Sequence, residues 1–354
     1  MRLLAGKVLL GLLPFGFMAA VSYHVDPAHL FGSGSEAQIG ALTAAGHAVV
    51  SPRIFDGERL VQRSYVRHLR HVPEVVVFGS SRAMQIHSAA FPGRRFANSA
   101  VFAASIEDLI AVAGMYDRAG RMPRDVVLVL DPWLLNGQSG LTGWKSISSE
   151  YGYMARRLGF PVRGLTRFLN PIIDRYLELL SPAYFQASVP SLFTPVLAEP
   201  VVAVEEVPGE SEIILADGSR VPGRLSRERT PAEVAQLAGK DVAANLFVDN
   251  FTALDPLARE QFERLIRYLM SAGARVTLVL VPCHPVMFEA LNNNPAHRAV
   301  ALQEDYFRGF ARQVGVPLLG SYDPVRAGCS DAEFFDGWHP RESCVNRVLA
   351  SNRP

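Results

Sequence analysis

Two short stretches hold the residue types that acyl-group chemistry requires. The first is Gly79-Ser80-Ser81-Arg82, directly after the apolar run Val75-Val76-Val77-Phe78. A serine on a turn at the carboxyl end of a strand presents its hydroxyl beside backbone N–H groups, and a helix starting nearby adds a dipole that favours an oxyanion. The second is Asp336-Gly337-Trp338-His339-Pro340. A serine nucleophile needs a base, and the base needs a carboxylate to fix its tautomer and stabilise the imidazolium. An Asp three residues before a His can turn back onto the imidazole within one loop. Ser81, His339 and Asp336 therefore form a candidate catalytic set, although Gly-Ser-Ser by itself is also an ordinary turn. A second Asp-x-x-His, Asp26-Pro27-Ala28-His29, precedes every expected strand and reads as a decoy, because active groups of open α/β sheets collect outside the carboxyl ends of the strands.

The elements that must position these groups follow from the hydrophobic pattern. Val75–Phe78 is a short, wholly apolar run of the kind found in central parallel strands. A helical period over Ile106–Ala119 separates it from a second run, Asp125–Leu130. Further on, Pro256–Gly273 reads as a helix, Arg275–Val281 as a strand, and His297–Val314 and Pro340–Ala350 as helices, with Pro340 suited to a first turn. Strands alternating with helices imply a parallel sheet covered on both faces. Between residues 137 and 245 the rhythm breaks. There Val201–Val204 and Ile213–Leu215, followed by Asp217-Gly218, suggest a β-hairpin inside an insertion. Residues 25–71 read as an irregular juxtamembrane stretch followed by a helix from Asp56 to Arg70, whose Arg59, Arg63 and Arg67 recur at helical spacing as a solvated face, with a face near anionic head groups as the alternative. In that stretch, Gly32-Ser33-Gly34 follows no strand and lacks the third glycine of a dinucleotide loop.

Composition narrows the class. The chain has 354 residues, with 35 Lys+Arg against 34 Asp+Glu, 49% hydrophobic and 19% charged residues. Disordered, acidic and collagen-like chains are excluded, and the near-neutral balance lacks the basic footprint of a duplex-DNA binder. Arg2 and Lys7 precede an apolar stretch from Val8 to Tyr23. With Leu3–Gly6 it reaches the roughly 20 residues of a bilayer span, the positive flank leaving the N-terminus inside. Residues 1–24 therefore read as a transmembrane anchor, with a cleaved signal peptide ending at Ala20-Val21-Ser22 as the alternative. Either reading places residues 25–354 outside the cytoplasm. The three cysteines make neither a disulfide framework nor a zinc ribbon, though that compartment would permit a Cys329–Cys344 bridge. No metal spacing or phosphate loop appears, and no cofactor is expected.

With these parts in place the chain resembles the SGNH (GDSL-type) hydrolase superfamily, in particular its membrane-anchored branch of teichoic-acid D-alanylation and polysaccharide O-acylation proteins. The resemblance covers the anchor, residues 72–136 and about 255–350; residues 137–245 are unmatched. It implies an α/β fold of three layers, flavodoxin-like, with a parallel sheet, a central insertion and a preceding transmembrane helix. The core would then comprise residues 72–136 and 246–354. Ser81 matches the nucleophile, with Ser80 where the simple motif carries Asp, and Asp336 and His339 match the other triad members. The oxyanion donors implied are the N–H of Ser81, that of Ala103 where the family places glycine, and Asn136 in Asp131-Pro132-Trp133-Leu134-Leu135-Asn136, with an ordinary loop or cap asparagine as the alternative for Asn136.

Arg82, Asp131, His284 and Trp338 are candidate substrate contacts, with an Arg82–Asp131 structural pair, a structural His284 and core packing of Trp133, Trp144 and Trp338 as the alternatives. His87, without a carboxylate at i−3, reads as a surface residue. The expectation is an extracytoplasmic serine esterase or O-acyltransferase acting on an acylated envelope or exported polysaccharide through an acyl-serine. A membrane-bound acyltransferase would be a compatible partner; nucleic acid would not. The rivals are a non-catalytic carbohydrate-binding or accessory protein on a degenerate scaffold and a protease-like serine hydrolase.

Overall fold

The run at 75–78 forms a strand because every one of its side chains finds a buried place: Val75, Val76, Val77 and Phe78 are all 0% exposed. In a computed structural model, residues 2–25 (side chains from Leu13 onward), 35–50, 57–160, 176–177, 179–182, 185–186, 188–189, 201–204, 209–244 and 247–351 are described. In chain order the elements are α1 (Arg2–Val25), α2 (Ser35–Ala44), β1 (Ala48–Val50), α3 (Glu58–His68), β2 (Val75–Phe78), β3 (Phe96–Asn98), α4 (Ile106–Arg118), β4 (Asp125–Val129) and α5 (Ser148–Arg157). After them come β5 (Val202–Val204), β6 (Ile213–Ile214), β7 (Arg220–Val221), α6 (Pro231–Ala244), α7 (Pro256–Ser271), β8 (Arg275–Leu280), α8 (Pro285–Asn293), α9 (Ala299–Val314), β9 (Leu318–Gly320) and α10 (Glu342–Ala350).

Five strands make a parallel sheet in the order β3-β2-β4-β8-β9. Numbered among themselves they run 2-1-3-4-5, so the fold is α/β with a parallel five-stranded sheet, an order consistent with a flavodoxin-like fold. Side chains alternate between two cores. Val76 and Phe78 pack with Leu109, Leu128, Phe262 and Phe307 on one face, while Val75 and Val77 pack with Val127, Val279, Val345 and Val348 on the other. Each fully buried Val or Phe contributes roughly 1.5–3 kcal/mol, so a central strand apolar on both faces is strongly fixed in register. Helix starts follow the local sequence: Ser105 and Asp108 form a capping box for α4, and Asp255 caps α7 with Pro256 in its first turn.

A second sheet, ordered β5-β1-β6-β7, corrects the reading of the insertion. The runs at 201–204 and 213–215 do not pair with each other. β1 lies antiparallel between them, matching Ala48 to Val204 and Val50 to Ile213. The hairpin is instead β6–β7, closed at Asp217-Gly218. Part of the stretch expected to be irregular is thus α2 and β1, while residues 26–34, including the Asp26–His29 decoy and Gly32-Ser33-Gly34, lie outside the described residues. Pro340 is not in a helical turn: it bridges Phe334, and α10 begins at Glu342. Arg59 is not on a solvated face either, since it forms an ion pair with buried Asp108 at 2.6 Å.

Helix α1 spans Arg2–Val25 with Pro14 inside it, and Leu13, Phe15, Phe17 and Tyr23 are each more than half exposed. Among the described residues no helix is long and apolar enough to cross a membrane. The expected anchor includes residues 1–12, whose side chains lie outside the described residues.

Candidate functional site

β2 is the strand at which the sheet order reverses, with β3 on one side and β4 on the other. The crevice at such a switch point is where open α/β sheets hold their ligands. Gly79 leaves β2 in a space that no side chain could share: a Cβ there would sit 2.9 Å from the Cβ atoms of both Ala83 and Val129. Ser80 then caps a single helical turn, Ser81–Ala83, by accepting the Arg82 N–H at 3.2 Å. That turn leaves Ser81 partly exposed while Ser80 and Arg82 are buried.

Ser81 Oγ lies 2.8 Å from His339 Nε2, across 258 residues of chain. His339 Nδ1 lies 2.9 Å from each oxygen of Asp336. An ionised carboxylate only accepts, so Nδ1 carries the proton and Nε2 is left as the acceptor for the Ser81 hydroxyl. Burial alone would raise the Asp336 carboxyl. The charge and hydrogen bond of His339, with the N–H groups of Trp338 and His339, outweigh it and hold the pKa down to about 2. Burial pushes the His339 imidazole down, but the Asp336 charge and hydrogen bond prevail, and its pKa stands above the ordinary value. About a quarter of each side chain remains open, 29% for His339 and 25% for Asp336. The base is therefore strengthened and still reachable.

The loop carrying these two groups is held peptide by peptide. Asp336 Oδ1 accepts the N–H groups of Trp338 and His339, both at 2.8 Å. The Gly337 N–H donates to Asp241 on α6, and its carbonyl accepts the His284 N–H at 3.0 Å. The Trp338 carbonyl accepts Arg82 Nε at 3.0 Å, and the Phe335 N–H closes the turn on the His339 carbonyl. A disulfide, Cys329–Cys344, brackets the whole segment.

The backbone N–H groups of Ser81 and Ala103 have no acceptor among the described residues. Ala103 has φ of 46°, the left-handed region that a glycine would enter without cost. The neighbouring peptide explains how alanine is kept there. Buried Glu58 accepts the Phe102 N–H, and Arg59 donates to the Phe102 carbonyl at 3.0 Å while gripping Asp108 through two nitrogens. Burial raises the Glu58 carboxyl despite its Arg220 partner.

The four expected substrate contacts are placed differently. Arg82 is 0% exposed and Asp131 1%, so neither presents surface to a substrate. Arg82 donates to the Val281 and Pro282 carbonyls at 2.5 and 2.9 Å and stands 3.8 Å from Asp131. Asp131 accepts the Ser80 hydroxyl at 2.8 Å, and burial raises its pKa to about 6 against the pull of Arg82. His284 is a buried N-cap of α8, its Nδ1 accepting the Val286 N–H. Trp338 is buried edge-on against Trp133, 5.5 Å between rings, so both are core residues, and Trp144 packs on Tyr151. Asn136 has its amide engaged at both ends: Nδ2 donates to the carbonyl of Phe247, 111 residues away, and Oδ1 accepts the Gln138 N–H of its own loop. His87 is buried, not on the surface, with Nδ1 on Ser219 Oγ at 2.8 Å.

Glu58, Arg59 and Asp241 carry positioning roles that their sequence neighbourhoods hide. Arg59 was visible only as one member of a periodic arginine row, and Asp241 lies mid-helix within the unmatched insertion. A surface cavity of about 500 Å³ opens at the amino ends of β4 and β8 beside Asp125 and Arg275, the opposite end of the sheet from Ser81. Comparison with known proteins finds no matching family model and no match among curated proteins.

Proposed function

We propose that the chain is an extracytoplasmic, SGNH-type serine O-acyl esterase or acyltransferase whose substrate is an acylated envelope or exported polysaccharide. The observation that carries the reading is the unbroken hydrogen-bonded series from Ser81 Oγ through His339 to Asp336, at 2.8 and 2.9 Å. Contacts of this length match those of a nucleophile, its base and the group that orients the base.

In this reading Ser81 Oγ attacks the ester carbonyl carbon as its proton passes to His339 Nε2. The new C–O bond displaces the carbonyl π pair onto oxygen, where the Ser81 and Ala103 N–H groups receive the charge. Collapse restores the carbonyl and breaks the bond to the alcohol, which leaves with the proton from His339. Water or a sugar hydroxyl then gives its proton to the freed imidazole and takes the acyl group, and Ser81 Oγ, as its bond to the acyl carbon breaks, recovers its proton from His339. Water makes the reaction hydrolysis, and a sugar hydroxyl makes it transfer.

The Cys329–Cys344 disulfide supports an oxidising compartment. The engagement of the Asn136 amide by the Phe247 carbonyl and the Gln138 N–H favours one rival, a polysaccharide-binding accessory protein with a weakened oxyanion hole. Turnover of an aryl acetate decides between them. Ser81→Ala is expected to lower it by on the order of 10³-fold or more; undiminished turnover, or none in the parent, overturns the catalytic reading.

A further inference from the structure

Beside the catalytic loop an open cavity of about 230 Å³ is lined by Gln85, His87, Arg227, Arg341 and the first turn of α10. Its chemistry is almost entirely that of donors. Arg341 spends its guanidinium on the carbonyls of Phe334, Arg227 and Arg229 at 2.8–3.3 Å, and no carboxylate among the described residues pairs with it. Arg227 likewise has no acid partner there: Nη2 donates to the Gly209 carbonyl, and its buried Nε meets no acceptor. Two cationic groups therefore flank the cavity uncompensated, and burial together with neighbouring Arg229 pushes the Arg341 pKa down.

The helix end adds to this. α10 has nine residues, its N-cap Arg341 offers no side-chain oxygen, and the N–H groups of Glu342, Ser343 and Cys344 have no acceptor among the described residues. Such an end carries about half a positive charge. Of the acids nearby, Glu342 is exposed and receives Asn346 Nδ2 at 3.3 Å along its own helix, and Glu333, bonded to the Ser343 side chain, is engaged by Arg347 at 2.8 Å. Independently, the Gln85 side chain is only 8% exposed, lines the cavity and has no hydrogen-bond partner among the described residues. His87 is 9% exposed. Because Ser219 Oγ donates to Asp217, His87 Nδ1 must donate to Ser219, which leaves Nε2 an unpartnered acceptor in the neutral ring and a donor only in the protonated one.

We propose that this cavity binds an oxyanion, a carboxylate or a phosphate, carried by the glycan on which the triad works. A ligand here that brings acceptors and negative charge would meet the buried Arg227 Nε, which has nothing to receive it, the unpaired Gln85 amide and two guanidinium charges without an acid partner among the described residues. The site adjoins the chemistry through the chain itself: Phe335 precedes Asp336, and Arg341 follows His339 by two residues, a Cα separation within about 8 Å. The assignment of the ligand to the substrate rests on the acyl-transfer reading, but the anion site does not.

Calorimetry on the full chain carrying Ser81→Ala tests it without turnover, using an oligogalacturonate, a neutral cello-oligosaccharide of equal length and inorganic phosphate. The oligogalacturonate or phosphate is expected to bind and the neutral oligosaccharide to bind at least tenfold more weakly. Which anion binds tells a carboxylated from a phosphorylated ligand. Adding Arg227→Gln is expected to weaken anion binding about tenfold or more, and Gln85→Leu severalfold. Gln85→Leu alone decides the matter if Arg227→Gln fails to fold. Absence of anion binding, or affinities unchanged in these variants, overturns the proposal. Aryl acetate turnover by the chain with Ser81 intact is read separately, so a failed esterase with a surviving anion site remains distinguishable from the reverse.

Discussion

Arg82, the residue immediately after Ser81, donates through Nε to the carbonyl of Trp338, the residue immediately before His339, at 3.0 Å. One buried guanidinium thus fastens the two halves of the site together and also holds the end of β8 through the Val281 and Pro282 carbonyls. Replacing Arg82 with Met is expected to cost about 3–5 kcal/mol in urea unfolding, because buried Asp131 and three carbonyls lose their cation or donor. Lys keeps the charge without the fork and is expected to recover part of the stability while turnover stays more than tenfold down. Wild-type stability in Arg82→Met would refute the clamp.

The pH dependence follows from the two shifts in the site. His339 must be neutral to accept the Ser81 proton, and its pKa is raised by Asp336. The acid limb of kcat/KM is therefore expected above 6.5, activity falling as pH drops through it. Asp336→Asn is expected to move that limb downward and lower the plateau by at least about a hundredfold. For stability the signs differ between partners. The His339 contribution is full below its unfolded pKa and fades as pH rises through the raised folded value; the Asp336 contribution is present above about 4 and is lost as pH falls towards about 2.

Ala103 supplies a third expectation. Its φ of 46° costs an alanine about 1 kcal/mol that glycine does not pay, partly offset by the greater freedom of glycine in the unfolded chain. Ala103→Gly is expected to keep the melting point within a few degrees and to keep turnover. Ala103→Val places a β-branched residue at positive φ and is expected to lower both.

The disulfide between Cys329 and Cys344, 15 residues apart in sequence, closes a loop that contains Asp336 and His339. Its removal in a double Cys→Ser variant is expected to destabilise the fold by about 3 kcal/mol in denaturant and to slow turnover. Equal stability and activity after reduction would show that the loop holds its shape by hydrogen bonds alone.

Much of the site was legible because its chemistry is local. Ser81 follows an unmistakable apolar strand, and Asp336 and His339 share one loop. What escaped was short or distant. β3 and β9 have three residues each, too few for any periodicity, and β1 reads as coil until β5 and β6 enclose it. The roles of Arg59 and Asp241 arise only from contacts with Asp108, 49 residues away, and Gly337, 96 away. Glycine at position 103 would have advertised the left-handed turn; alanine conceals it, and Glu58 and Arg59 make the substitution workable.

The placement of β1 between β5 and β6 has a consequence for biosynthesis. As the polypeptide emerges from the ribosome, Ala48–Val50 must wait for more than a hundred further amino acids before either neighbour arrives. Until then both rims of that ribbon stay unmated and open to holdase capture or mispairing, so maturation of this corner is governed by translation of the intervening stretch.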